Sequence, residues 1–512
     1  MMHRLTRPLR YGFTALALAC VTAVAQAPTD IRVALVIGNA AYAGNAALAN
    51  PTNDAKAMAE TLRGLGFTVV EIRDGGRTQM NDAIVKVRDT LKGKQGVGML
   101  YYAGHGLQLD WRNYMVPVDA KLSSAADVAR QTVDVNAVIE AFKGAGNRMN
   151  ILVLDACRDN PFRGGTSAGK GLAQVDAPPG TFLAYATAPG NVAEDGDEKS
   201  GNGLYTQYLL QELKKPTAKI EDVFKRVRLN VRKQSEGRQI PWESTSLEDD
   251  FFFNDGKLVA VAKPSERVKE TEFNLEKVDW DKIKDSKKPD DFYAFLNKFP
   301  NGQISEAAQA KLDALSKTTV VASLAKDQVP VTAKANERFQ LNDKYYIARR
   351  DGYSQAETGR RVEAVTSQNG DVVDMNNGKS QFTVHGATLR ASIGNTQLNF
   401  DPPLNTLPAG DFQVGKKWQT RTTMALPFGF KGWIEQDLKV LEREQLKNEA
   451  GTFDTFKVEM KGFTFQGTYI DVMYWVEPAY GWPVKLQYKQ RNRSGQVERF
   501  YIDEWHKKPD RG

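Results

Sequence analysis

The chain is poor in the residues that build metal centres and disulfide frameworks. Its 512 residues include two cysteines and four histidines, and no two of the six stand at a spacing that ligates a metal. Cys20 and Cys157 cannot pair in a processed chain, because the first 27 residues have the form of a removable leader. Beyond that leader no apolar run is long enough to cross a bilayer as a helix. A large charge of one sign is also missing. The net charge of +7 falls to +4 without Arg4, Arg7 and Arg10, which on so long a chain is a solvated surface and gives no reason to expect nucleic acid as a partner.

The leader is the first positive feature. The three arginines precede an apolar run from Phe13 to Val24 and then Ala25-Gln26-Ala27, with no acidic residue among them. That is the pattern of a secretory signal peptide, so the expected location is periplasmic or secreted. A lipoprotein reading would acylate Cys20, but Ala17-Leu18-Ala19 before it makes a poor lipobox. Cys157 is then the one cysteine to explain. A lone thiol in an exported protein is either buried and inert or kept for its reactivity.

Residues 151 to 162, ILVLDACRDNPF, read as a central parallel strand that ends in a small polar turn, and the carboxyl ends of such strands are where open α/β sheets place ligands. Apolar strands at 32–39, 68–73, 96–102, 150–155 and 181–187 alternate with helices at 53–65, 78–92 and 134–142, and helices at 205–213 and 220–233 follow. This order predicts an α/β domain with a mostly parallel sheet flanked by helices. His105, in Ala103-Gly104-His105-Gly106, is the only histidine of this region. It follows one strand as Cys157 ends another, so both are expected over the same sheet edge. An imidazole beside a thiol can take its proton and later deliver one to a leaving amine.

The residues YYAGHG and LDACRDNPF, with 52 positions between histidine and cysteine, the opening strand RVALVIGNAAY and the segment LANPTNDA together resemble the caspase-like core of clan CD cysteine peptidases, of the bacterial metacaspase or orthocaspase type. The His-to-Cys spacing is comparable to that of caspases in general. The resemblance implies Cys157 as nucleophile, His105 as proton-transfer partner, and the backbone amides of Gly106 and Cys157 as oxyanion hole. It also implies Asp54 and Asp155 as the acidic lining of the pocket for the residue before the scissile bond. Two carboxylates without a fixed cation favour an arginine or lysine there. The bland reading of Asp54 is a helix cap, given Asn53 or Thr52 as alternative caps, and that of Asp155 is a hydrogen-bond acceptor for the following turn.

Two departures from the family pattern stand out. Ala103 occupies a position where metacaspases often carry serine, and Arg158-Asp159-Asn160-Pro161-Phe162 replaces a short Ser-Gly type turn; Arg158 is placed to neutralise the acidic pocket. The glycine-rich loop from 164 to 171 reads as a linker without the spacing of a phosphate loop, and Arg163 and Lys170 beside it are candidate self-cleavage points. No metal site is expected. Calcium remains a candidate cofactor only by resemblance, through the acidic residues Glu194, Asp195, Asp197 and Glu198.

After the caspase-like region, assigned to 28–256, the expected parts are a charged linker at 257–277, a helical hairpin resembling one tetratricopeptide or Sel1-like unit at 278–316, and a β-rich domain at 325–512. The last is marked by alternating segments between Gly, Asn, Asp and Pro turns. Trp418, Trp433, Trp475 and Trp482 are expected inside a curved sheet or open barrel similar to half-barrel domains of bacterial envelopes, packing a core or facing a ligand. The whole reads as an exported cysteine endopeptidase acting on a peptide or protein substrate after Arg or Lys. The alternative is a catalytically silent caspase-like scaffold whose C-terminal domains bind a protein or envelope component.

Overall fold

The computed structural model describes residues 31–256 apart from 111, 158–171, 173–174, 176 and 189–200, and residues 266–512 apart from 317–319, 323–330, 334–337, 394–395, 409–411, 413, 426–428 and 430. The expected leader with Cys20, the residues Arg158, Arg163 and Lys170, the acidic loop at 194–198 and the side chain of Cys157 lie outside the described residues.

Residues 32–245 of the chain form an α/β sandwich. In chain order its elements are β1 (Arg32–Gly38), α1 (Pro51–Gly64), β2 (Thr68–Arg73), α2 (Arg77–Leu91), β3 (Val97–Leu109), β4 (Arg112–Met115), α3 (Ala125–Gln131), β5 (Val133–Asp134), α4 (Val135–Gly144), β6 (Met149–Cys157), β7 (Thr181–Tyr185), α5 (Leu204–Leu213), α6 (Ile220–Gln234) and β8 (Trp242–Thr245). The sheet runs in the order β2-β1-β3-β6-β7-β8, parallel except for β8, which lies antiparallel on β7. Strands whose residues are apolar on both faces must be covered on both. Ala34 and Val36 pack with α1, α5 and α6, and Val33, Leu35 and Ile37 pack with α2 and α4.

Two features differ from the sequence expectation. His105 closes the parallel pairing with β6 as expected, but β3 does not stop there: it continues beyond the sheet, where it pairs with β4. The antiparallel edge strand β8 has no counterpart among the expected strands, since its four residues WEST are too few for a periodicity signal.

The second part is a three-helix unit. It comprises α7 (Glu266–Ile283), α8 (Pro289–Lys298) and α9 (Ser305–Ser316), so most of the expected charged linker is helical and the expected hairpin gains a third helix. The cause is a sparse apolar stripe on α7: Phe273 and Trp280 are buried against Phe292, Phe295 and Leu296 of α8 and Ala308 and Leu312 of α9. Glu276, between them, accepts the backbone amides of Gln303 (2.7 Å) and Ile304 (2.8 Å) and so fixes the entry to α9. Two short paired strands follow, β9 (Val320–Ala322) and β10 (Val331–Ala333).

The third part is a closed barrel, not an open half-barrel. Its strands are β11 (Lys344–Asp351), β12 (Glu357–Asn369), β13 (Val372–Met375), β14 (Ser380–Thr383), β15 (Thr388–Ile393), β16 (Thr396–Leu404), β17 (Lys417–Ala425), β18 (Lys431–Asn448), β19 (Gly451–Thr464), β20 (Tyr469–Val476), β21 (Lys485–Arg491) and β22 (Val497–Asp510). β22 returns to pair with β11, as in Arg349↔Asp503, and closure removes the free edges. The interior holds Trp418, Leu438, Val458, Met460, Val472 and Tyr474, while Trp482 packs in a second cluster with Phe339, Tyr345 and Trp505. Trp433 and Trp475 alternate with interior residues and face outward: Trp433 meets the Arg421 guanidinium, and Trp475 donates to Glu444 at 2.6 Å.

Buried ion pairs join the parts. Arg232 of α6 meets Asp313 of α9 at 2.6 Å, and Lys416 beside β17 meets Glu306 of α9 at 3.2 Å. The barrel approaches the sheet at β8, where Gly415 lies so close to Thr245 that any Cβ would collide with its carbonyl. Thr245 pairs with Phe182 near the start of β7, so the barrel docks at the opposite end of the sheet from the carboxyl ends of the parallel strands.

Candidate active site

The register of β3 and β6 pairs Ala103 with Asp155, Gly104 with Ala156 and His105 with Cys157. Two adjacent parallel strands thus carry histidine and cysteine side by side at the last position that they share. The backbone there is held by a clasp of phenols. The Tyr42 hydroxyl accepts the His105 amide at 3.0 Å and donates to the Val116 carbonyl at 2.9 Å, and the Tyr102 hydroxyl donates to the His105 carbonyl at 2.6 Å. Gly104 has φ 152°, and a Cβ at this position would lie 2.8 Å from both hydroxyl oxygens. Only glycine fits between them. Burial raises the Tyr42 hydroxyl to about 12, so it stays a neutral hydrogen-bonding group.

His105 is oriented from two sides. Its ring packs on Tyr42 with centroids 4.5 Å apart, and Nε2 lies 2.7 Å from the carbonyl oxygen of Ala46. A carbonyl oxygen can only accept, so Nε2 carries the hydrogen and Nδ1 is the basic nitrogen of the neutral ring. The Val116 amide donates to the His105 carbonyl at 3.0 Å, which makes Gly106 and Met115 a pair without ladder hydrogen bonds. The Gly106 amide therefore points away from β4, toward the β6 side. A side chain on Gly106 would meet Ala156 at 2.9 Å and Leu172 at 3.1 Å.

The two aspartates meet at one helix start. α1 begins at Pro51, so Asp54 lies inside its first turn and neither Asn53 nor Thr52 is the cap residue. Asp54 is 3% exposed, and its Oδ1 accepts the amide of Gly203, the N-cap of α5, at 3.0 Å. Asp155 accepts the Thr206 hydroxyl at 2.6 Å, and Thr206 in turn is hydrogen bonded to Tyr101. Burial pushes the Asp155 carboxyl up to about 6, against the lowering effect of the Thr206 hydroxyl. A Cβ on Gly203 would lie 3.3 Å from Oδ2 of Asp54 and 3.8 Å from Oδ2 of Asp155. Gly203 therefore lies against both carboxylates.

Sequence reasoning singled out Cys157, His105, Gly106, Asp54 and Asp155. It missed Tyr42, Tyr102, Ala46, Gly203 and Thr206, which hold them. Tyr42 stands in the opening segment RVALVIGNAAY, and Gly203 directly precedes the helix LYTQYLLQEL; a glycine at a helix start was the available signal. Among the described residues no group of three or more His, Cys, Asp or Glu side chains could hold a metal ion.

The sequence model of the caspase domain family matches residues 31–252. The human mucosa-associated lymphoid tissue lymphoma translocation protein 1 is 30% identical over 196 residues, 38% of this chain and 23% of that protein, and its mouse homolog matches over the same shares. The chain thus spans about a quarter of the length of these curated relatives. Among solved structures, the Drosophila initiator caspase Dronc aligns over 44% of this chain and 83% of its own, at 16% identity and a TM-score of 0.33.

Proposed function

From the premise of a caspase-like domain at residues 31–252, we propose that this domain is a cysteine endopeptidase that cleaves after arginine or lysine. The observation that carries the reading is the pairing of His105 with Cys157 on adjacent parallel strands; the place at Gly203 where Asp54 and Asp155 come together would serve as the recess for the substrate side chain. The Cys157 sulfur attacks the peptide carbonyl as thiolate, its proton passing to Nδ1 of His105. The amides of Gly106 and Cys157 receive the developing oxyanion. His105 then protonates the amine that leaves, and water hydrolyses the thioester with His105 as base. The Ala46 carbonyl keeps the ring in the required tautomer and stabilises the imidazolium.

The specificity follows from the recess. A guanidinium or ammonium entering between Asp54 and Asp155 gains charge-assisted hydrogen bonds and relieves the burial that holds the Asp155 carboxyl near 6. The leader at 1–27 supports export to the periplasm or beyond. The test is cleavage of fluorogenic peptides ending in Arg, Lys or Asp, with and without calcium, by the mature protein and by Cys157→Ala. Turnover after Arg or Lys that disappears in the variant is expected. Turnover after Asp would remove the recess from the reading, and no turnover under any condition would leave the silent scaffold.

A further inference from the structure

The outer wall of the barrel carries an aromatic and cationic rim that the peptidase reading does not use. At one end of the barrel, three neighbouring hairpins end together: β17–β18, β19–β20 and β21–β22. The Phe465 amide donates to the Trp433 carbonyl at 3.1 Å, and Gly467 sits against the Arg493 side chain, which a Cβ there would meet at 3.3 Å. Trp433 and Phe463 lie 5.8 Å apart by ring centroids, and Phe463 and Tyr469 5.0 Å apart. Phe463, Phe465 and Tyr469 are 38, 40 and 46% exposed. Contiguous exposed aromatics on a soluble face mark an interaction site.

The charge around them is predominantly positive. Residues 431–433, 463–469 and 489–495 contain Lys431, Lys489, Arg491 and Arg493 and no acidic residue. The carboxylates that face the rim are engaged. Asp471 pairs with Arg491, and Glu435 pairs with Lys269 and Arg421. The barrel is not itself a membrane-spanning one. Its interior is apolar, with Leu438, Val440, Val458 and Met460 inside, while the alternating outward positions are Asp437, Lys439, Lys457, Glu459 and Lys461. This is the reverse of the pattern that lipid requires along a spanning wall. Only the tips combine apolar rings with cations.

We propose that this rim docks the protein peripherally on an anionic lipid surface. Tryptophan, tyrosine and phenylalanine interleaved with lysine and arginine are the chemistry of the bilayer interface, where rings enter the headgroup layer and cations meet lipid phosphates. Charge complementarity selects the occupant, because Lys431, Lys489 and Arg493 add positive charge beside the Arg491–Asp471 pair and favour a surface dense in negative charge. The docked face lies on the barrel, which joins the sheet at the end remote from His105 and Cys157, so binding leaves the candidate active site open to substrate.

The test is co-sedimentation of the mature full-length protein with phosphatidylcholine vesicles with and without phosphatidylglycerol, at low and at high salt. Binding is expected to be at least about tenfold stronger with phosphatidylglycerol and to weaken with salt. Phe463→Ser/Phe465→Ser and Arg493→Glu should each weaken it by about tenfold, with unchanged circular dichroism and melting temperature, because all three side chains lie outside the cores. Equal sedimentation with both vesicle types, or variants that bind like the parent, would overturn the proposal. Concentration-dependent self-association without vesicles, abolished by Phe463→Ser/Phe465→Ser, would assign the rim to a second copy and overturn it equally.

Discussion

Asp54 and Asp155, from different elements of the sandwich, border the same missing side chain at Gly203. The backbone of Gly203, with φ −59° and ψ 151°, is open to any residue, so glycine is not needed there for conformation. Gly203→Ala should therefore fold, its methyl 3.3 Å from Oδ2 of Asp54 pressing that carboxylate aside by a few tenths of an ångström at a small cost in melting temperature. The expected result is a drop in kcat/KM for arginine peptides of about tenfold, mostly in KM. An alanine variant with parental kinetics would show that substrate does not enter this recess.

Asp155→Asn separates stability from specificity. The folded carboxyl titrates near 6, above its ordinary 3.8, because it is buried. A raised carboxyl pKa stabilises the fold below the ordinary value, and that contribution is lost as pH rises through about 6. At pH 7.5 the native carboxylate is a liability, so the asparagine variant, which still accepts the Thr206 hydroxyl, should melt higher than the parent. At pH 4 the two should melt alike. Peptide assays should show the preference for Arg over neutral residues collapsing in the variant, along with an acid limb expected in the parent as the Asp155 carboxyl protonates. Thermal scans at the two pH values check the first half and pH–KM profiles the second.

Tyr42→Phe tests the clasp behind the histidine. The ring would still pack on His105, but the part-buried His105 amide would lose its acceptor, at a cost of about 1 kcal/mol in unfolding free energy. With the loop backbone free to shift, kcat should fall while KM for arginine peptides stays close to the parent, because Asp54 and Asp155 are untouched. A variant that changed KM alone would move Tyr42 from holding the histidine to contacting substrate.

The sandwich was legible because its strands are nearly continuous apolar runs, and a run such as ILVL has few other uses. The nearness of His105 to Cys157 was legible because each is the only residue of its kind in the domain and stands at the end of an apolar strand. Asp54 could not be resolved between cap and pocket, since the distinction depends on Gly203, 149 positions away. The helix α7 was masked by its composition: Phe273 and Trp280 are separated by charged residues, and burial of Glu276 is paid for by two backbone amides that only the folded unit presents. Barrel closure was also hidden, because whether β22 pairs with β11 is a matter of register and twist rather than of any local pattern.

The pair Arg232–Asp313 decides whether the helical unit is an appendage or part of the sandwich's stability. Arg232 lies on α6 of the sandwich and Asp313 on α9, their side chains only 6 and 4% exposed, and Gln309 also donates to Asp313 at 2.8 Å. Removing one partner leaves the other charge buried, which costs about 3–5 kcal/mol, so Asp313→Ala should lower the urea midpoint of the whole sandwich although residue 313 lies outside it. Replacing both by apolar residues of similar size, Arg232→Met with Asp313→Leu, removes two desolvation costs together with one attraction and should recover most of the loss. Urea unfolding followed by tryptophan fluorescence on the parent, both single variants and the double variant gives the coupling directly. If Asp313→Ala altered only a minor, separate transition, the helices would be packed beside the sandwich without supporting it, and the two would unfold independently.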